Sequence, residues 1–267
     1  MGIAANLFRV VYATWRQYIY TAGALLTLTW KWLTKDKDYF TEYTYPEPEC
    51  LKNWNHKFVQ LKDIRMHYVE EGPEDGDVLL MVHGFPEFWY SWRFQLEHFK
   101  HTHRYLPIKR YVYFFQSQLI PEIAMRSNKM KMLEAMFRGK QAGIRNSQNF
   151  TDEDMLAWKH VFSQPGATTG PLNYYRDLFN APSISRKLQI VQPKVLILWG
   201  DEDNFLDKKG AEFSVQYCRN CRVEFIRGAS HWVQQDQPEL VNAYMEQFMK
   251  EDIYGTVDNQ KEFKSNL

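Results

Sequence analysis

Three short stretches of this chain carry residue types that hydrolytic chemistry uses, and no segment joins them with a nucleophile. The first is the turn His83-Gly84-Phe85-Pro86, which follows the apolar run Val78 to Val82 and leads into Glu87-Phe88-Trp89-Tyr90-Ser91-Trp92-Arg93. The second is Gly200-Asp201-Glu202-Asp203, directly after Val195-Leu196-Ile197-Leu198-Trp199, and the third is Gly228-Ala229-Ser230-His231-Trp232. A carboxylate and an imidazole, each just past a strand-like run, are parts of a site that activates a nucleophile or a water. Between the first stretch and the other two, a Gly-x-nucleophile-x-Gly pattern occurs at Gly166-Ala167-Thr168-Thr169-Gly170. No aliphatic strand precedes it and Pro165 and Pro171 bracket it, so it reads as a decoy. Asp152 and Asp154 follow Thr151 where a helix should start, and acidic residues there act as caps and dipole partners.

Other constellations carry less. His98, His101 and His103 lie close together, but no carboxylate or Cys completes a metal site at ligand spacing, and no metal or cofactor is expected. Cys218-Arg219-Asn220-Cys221 stands alone and reads as an incidental pair on a surface turn. Cys50 makes the count odd, which argues against a disulfide framework. Asn149-Phe150-Thr151 is a glycosylation sequon, usable only on a lumenal side. Lys and Arg form no stripe and the net charge is +1, which argues against a nucleic-acid groove. The 16% aromatic content fits an apolar binding cavity.

The elements that must position these residues follow from the apolar pattern. A length of 267 residues with 45% hydrophobic content suits one well-cored domain. Residues 1–34 read as a membrane anchor. Gln17 to Trp30 carries no charge, and Trp15, Tyr18, Tyr20, Trp30 and Trp32 cluster near its ends like an interfacial belt. A span needs roughly 20 residues, so Arg16 and Lys31 would have to snorkel. A helix lying on a membrane or on the protein is the alternative. Residues 35–55 read as a linker and 56–250 as the folded domain, with a lid at about 105–190 and a disordered polar tail at 251–267. Phe58 to Leu61 and Ile64 to Val69 suggest a hairpin. Val78 to Val82 has the pattern of a strand buried on both faces of a parallel sheet. Trp89 to Phe99 has helical spacing, Val195 to Trp199 and Val223 to Ile226 read as strands, and Pro238 to Lys250 as a final helix.

Taken together, the three motifs, with Ser230-His231-Trp232-Val233-Gln234-Gln235-Asp236-Gln237-Pro238 as the last, resemble the epoxide hydrolase family of the α/β-hydrolase fold. The resemblance is closest to its membrane-anchored type 4 members and covers about residues 56 to 250. In that family an Asp carboxylate opens the epoxide to give an ester, which a His-activated water then hydrolyses. The resemblance makes His231 that base and Asp203, in preference to Asp201, its orienting acid. It makes the backbone N–H of Phe85 half of an oxyanion hole. Two lid tyrosines hydrogen-bond the leaving oxygen in the family. Tyr175, in Gly170-Pro171-Leu172-Asn173-Tyr174-Tyr175-Arg176, matches one; Tyr111 matches the other, with Tyr113 as its rival. The implied substrate is a small apolar epoxide or lipid-like molecule. The implied location is a single-pass membrane protein, with the endoplasmic reticulum as a candidate compartment. Oligomeric state is left open.

The departure from the family is an apparent internal deletion. The chain passes from the helix ending near Phe99 to lid-like text at Tyr105, without the nucleophile elbow and without the fourth, fifth and sixth strands. That is on the order of a hundred residues if each strand–helix unit takes about thirty. In the family's strand order the third strand lies between the fourth and fifth, so Val78 to Val82 should lose its sheet neighbours. Each buried unpaired backbone group costs on the order of 1 to 3 kcal/mol against a total stability of about 5 to 15. The expectation is an inactive and poorly stable or rearranged family member, arising as a shortened splice product or an incomplete gene model. Direct water attack using His231 and Asp203, and a non-catalytic lipid-binding or scaffolding role, stay open beside it.

Overall fold

The computed structural model describes residues 22–35, 37–62, 65–105, 120–180 and 190–253. Residues 22–34 form a helix, α1, on which Leu25, Leu26, Trp30, Trp32 and Leu33 are exposed. No helix among the described residues is long and apolar enough to cross a membrane, and residues 1–21 of the expected anchor lie outside them. The expected linker is in part a strap on the domain. Helix α2 (Glu49–Lys52) seats Leu51 in the core, with Tyr45, Cys50 and Trp54 packed against it.

Strands β1 (His56–Gln60) and β2 (Arg65–Val69) form the expected hairpin, antiparallel with His56 opposite Val69. Two expectations for the next strand need correction. β3 (Asp77–Leu79) ends at Leu79, and Leu80 to Val82 run on outside any ladder. Val78, Leu80 and Val82 are 58%, 49% and 43% exposed, so the run is not covered on both faces. Among the described residues β4 is the one strand paired with β3, and these three side chains are left facing water. Nor is β3 left without a neighbour. Helix α3 (Arg93–Phe99), entered through a tight turn at Trp89–Trp92, is followed by β4 (His103–Tyr105), which pairs parallel with β3.

The region expected to be a lid, about 105–190, is helical among its described residues: α4 (Ile120–Arg126), α5 (Lys131–Arg138), α6 (Asp152–Ser163) and α7 (Thr169–Asn180). Helix α6 starts as its acidic first turn implies. Thr151 Oγ1 accepts the Asp154 N–H at 3.3 Å, and Asp154 Oδ2 accepts the Thr151 N–H at 2.7 Å. The C-terminal part is β5 (Val191–Gly200), α8 (Lys209–Ser214), β6 (Cys218–Ile226), α9 (Val233–Asp236) and α10 (Pro238–Ile253). β5 and β6 run parallel, with Gly200 opposite Ile226. Cys218 and Cys221 therefore sit within a strand and not on a surface turn, and both are free thiols. Burial, with Cys218 beside it, pushes the Cys221 thiol up to about 11, which leaves it a poor thiolate nucleophile.

Among the described residues the sheet is thus three two-stranded pieces. The core lies where the lid meets the Phe85–Tyr90 turn, around the fully buried Trp158, Tyr175, Phe99, Phe137 and Phe162. Each such side chain contributes about 1.5 to 3 kcal/mol by leaving water. Arg93 ties the layers together: its Nε lies 3.2 Å from Asp154 Oδ1 and its Nη1 donates to Gln235 Oε1 at 2.8 Å.

Candidate active site

The ends of β5 and β6 carry the base and the acid. Gly200 closes β5 against the loop that follows β6: a Cβ there would meet the Ser230 carbonyl oxygen at 2.1 Å. Asp203 then folds back, its N–H bonded to the Gly200 carbonyl at 3.2 Å. Asp203 Oδ2 accepts from His231 Nδ1 at 2.8 Å, while Oδ1 accepts the N–H groups of Phe205 and Leu206 at 2.8 and 3.0 Å. Burial alone would push this carboxyl up. The His231 bond and the two backbone donors outweigh it and hold the group below the usual carboxylate range. An ionised Asp203 keeps the ring proton on Nδ1 and makes Nε2 the basic nitrogen. Phe205 and Trp232 meet the imidazole edge to face at 5.1 and 4.9 Å. Asp201, the rival acid, is used elsewhere: its Oδ1 accepts the Gly228 N–H at 2.7 Å and ties the two loops together.

Asp236 and Trp232 bind this loop to α5 and the segment that follows it. Asp236 is fully buried; its Oδ2 accepts the Ser230 N–H at 2.7 Å, and its Oδ1 accepts the N–H groups of Arg145 and Asn146, each at 2.8 Å. Trp232 Nε1 reaches the carbonyls of Met136 and Ala142 at 3.0 and 3.1 Å. The sequon residue Asn149 is engaged here too, with Nδ2 donating to the Asp236 carbonyl at 3.3 Å.

The turn at Phe85 is joined to the same loop. Its Phe85–Pro86 peptide is cis, and Trp158 Nε1 donates to the Pro86 carbonyl at 2.9 Å. Glu87 Oε2 accepts the Gly84 N–H at 3.2 Å, and Oε1 accepts the side-chain amides of Gln234 and Gln235 at 2.9 and 3.0 Å. Burial pushes the Glu87 carboxyl up, opposed by His231 and by these donors. Sequence reasoning missed Glu87, Gln234, Gln235 and Asp236. A lone Glu in an apolar turn, and two amides three and four positions past His231, were the available signal, because a buried carboxylate needs donors.

Tyr175, on α7, is buried with its ring edge to face against Phe85 at 5.7 Å. The structure therefore brings Phe85 and Tyr175 together, and joins Phe85's turn to the His231–Asp203 loop through Glu87. Tyr111 and Tyr113 lie outside the described residues. Thr168 sits in the turn between α6 and α7, with Oγ1 bonded to the Phe162 carbonyl at 3.2 Å and no strand before it. The sequence between Lys100 and Pro121 contains no Asp or Glu. His98 pairs with Glu246 at 2.6 Å, and no cluster that could hold a metal occurs among the described residues. A cavity of about 570 Å³ opens beside Met66, His67, His83, Trp89, His160 and Tyr174; neither His231 nor Asp203 lines it.

Epoxide hydrolase 2 of Caenorhabditis elegans is 62% identical over 355 aligned positions that span the whole of both chains. This chain belongs to the epoxide hydrolase family. Human epoxide hydrolase 4 is 30% identical over 300 positions, 77% of this chain and 82% of its own length. Among solved structures, an inhibitor complex of Bacillus megaterium epoxide hydrolase superposes with a TM-score of 0.61 at 16% identity, over 73% of this chain and 100% of that one. An epoxide hydrolase from Vigna radiata gives 0.60 at 19%, over 75% and 99%. These establish the α/β-hydrolase fold. No protein-family model matches the chain. The 355 positions aligned with the worm epoxide hydrolase, against 267 residues here, leave roughly 90 with no residue of this chain, the size of about three strand–helix units of about thirty each. Both chains align end to end, so the gap is internal.

Proposed function

We propose that this epoxide hydrolase family member retains the water-activating half of the site but does not turn over epoxides through an enzyme ester. One observation carries the reading: His231 and Asp203 form a bonded base–acid pair at 2.8 Å, while the stretch that should supply the attacking carboxylate contains neither Asp nor Glu. The ester route needs a carboxylate oxygen to attack the epoxide carbon. Without it, Tyr175 and the Phe85 turn frame a ligand that is held and not cleaved. The ligand class is a small apolar epoxide or lipid-like molecule, supported by the names of the relatives. Membrane association is part of the proposal, supported by the exposed Leu25, Leu26, Trp30, Trp32 and Leu33 on α1, which water solvates poorly.

The intact base–acid pair also favours a second reading, in which His231 takes a proton from a water that attacks the epoxide carbon directly and Tyr175 donates to the leaving oxygen. Single-turnover hydrolysis of an aryl epoxide in oxygen-18 water separates the readings. No diol and no protein adduct support the proposed one. Diol carrying solvent label from the first turnover supports direct attack. An unlabelled first-turnover diol, its oxygen drawn from the protein, overturns both.

A further inference from the structure

The open edge of β3 fits one occupant better than any other: another copy of itself. Among the described residues β3 has β4 as its strand neighbour over Asp77–Leu79, and Leu80 to Val82 continue without one. The exposed residues Val78, Leu80 and Val82 alternate with half-buried Leu79 and buried Met81, so the segment already presents one apolar face to solvent. Natural edges are blunted by charge, proline or bulges. The outlying strands here follow that rule, with Lys57 in β1, Arg65 in β2, Lys194 and a register shift in β5, and Arg219 and Arg222 in β6. Val78 to Val82 has none of these devices.

We propose that Val78–Val82 pairs antiparallel with the same segment of a second copy, about a two-fold axis through Leu80. The sequence is complementary to itself in that register. Val78 faces Val82 of the second copy, Leu79 faces Met81, and Leu80 faces Leu80. At the ends, Asp77 of one copy meets His83 of the other, a carboxylate against an imidazole. Three apolar side chains from each copy then share one face, and cross-strand pairs of this kind stabilise a sheet. A contact in which each copy offers the same patch closes at two and does not propagate. The charge of +1 adds little repulsion between copies. The surface goes beyond the proposed function and does not depend on whether epoxide is cleaved.

The test uses the full chain and three single substitutions. In the two-fold register Leu80→Cys places its Cα about 4.5 to 5.5 Å from its counterpart, inside disulfide reach. Val82→Cys is offset from its own counterpart by four residues, roughly 13 Å along the strand, outside reach. The expected result is a dimer by light scattering, with Leu80→Cys cross-linking about tenfold faster than Val82→Cys and than the parent with its three native thiols. Leu80→Lys, tolerated at a half-exposed position, sets like charges opposite each other and weakens the dimer about tenfold, with the far-ultraviolet spectrum unchanged. A parent monomeric at every concentration, equal cross-linking at 80 and 82, or open-ended aggregates insensitive to Leu80→Lys would each overturn the proposal.

Discussion

Replacing Arg93 by Met tests whether α6 and the segment after His231 are held to one another by a single buried cation. Both partners of its ion pair are buried, with side chains 7% and 9% exposed. Besides Asp154, the guanidinium donates to Gln235 Oε1 at 2.8 Å, the Tyr90 carbonyl at 3.2 Å and the Asn149 carbonyl at 2.5 Å. Burial pushes the Arg93 pKa down and Asp154 pulls it back. Met keeps most of the apolar stem and removes the cation. Losing one partner of a buried pair costs about 3 to 5 kcal/mol because the other charge is stranded. Asp154 keeps two donors from Thr151, at 2.7 and 2.8 Å, which places the expected loss near the lower figure. About 3 kcal/mol out of about 5 to 15 is a large share, equal to about 1 to 2 M in urea midpoint. Urea titration followed by tryptophan fluorescence reads it, since Trp158 lies 5.9 Å from the guanidinium carbon. Adding Asp154→Asn should recover about 1 kcal/mol, because the stranded charge disappears. A midpoint shift below about 0.3 M, or strict additivity in the double variant, would refute the reasoning.

Three further outcomes follow from named contacts. Burial and His56 hold His67 down from 6.5 to about 4, so the unfolded chain binds more protons between those values, and stability falls as pH drops from 6.5 to 4. Allowing for solvent at the half-buried ring, the loss is roughly 1 to 2 kcal/mol, and His67→Phe should flatten the slope of denaturation midpoint against pH. In Asp203→Asn, the Phe205 and Leu206 N–H groups claim the single amide oxygen and the amide NH₂ faces His231 Nδ1. Nitrogen-15 shifts should then report the proton on Nε2; a proton retained on Nδ1 would contradict the geometry. Lys129 sits at φ 53°, between two other left-handed residues, so Lys129→Gly should raise stability by about 0.5 to 1 kcal/mol in thermal melts, and a loss would argue against that backbone.

What the sequence disclosed was local. The Asp203 and His231 stretches, the hairpin before Val69 and the capped start of α6 each lie within a few residues whose types fix their geometry. The run Val78 to Val82 misled because its continuous apolar composition suits a strand covered on both faces, whereas here Met81 is buried and Val78, Leu80 and Val82 face water. β6 was underestimated because Arg219, Asn220 and Arg222 interrupt its apolar pattern, as an edge strand requires. The strap at 41–55 was read as a linker because Tyr45 and Trp54 stand among charges without periodicity; their partners, Ser163, His160 and Trp89, lie far along the chain. The same distance hid the Glu87–Gln234–Gln235 link, which spans about 150 residues and leaves no local pattern.

On the proposed reading, His231 and Asp203 stand without an attacking carboxylate. Intact-mass spectrometry of the full chain mixed with an excess of an aryl epoxide, quenched in acid within the first turnover, tests it most directly. The expected result is an unmodified protein mass with Asp203 and His231 both present. An added mass equal to one epoxide, mapped to a carboxylate of this chain, would contradict it.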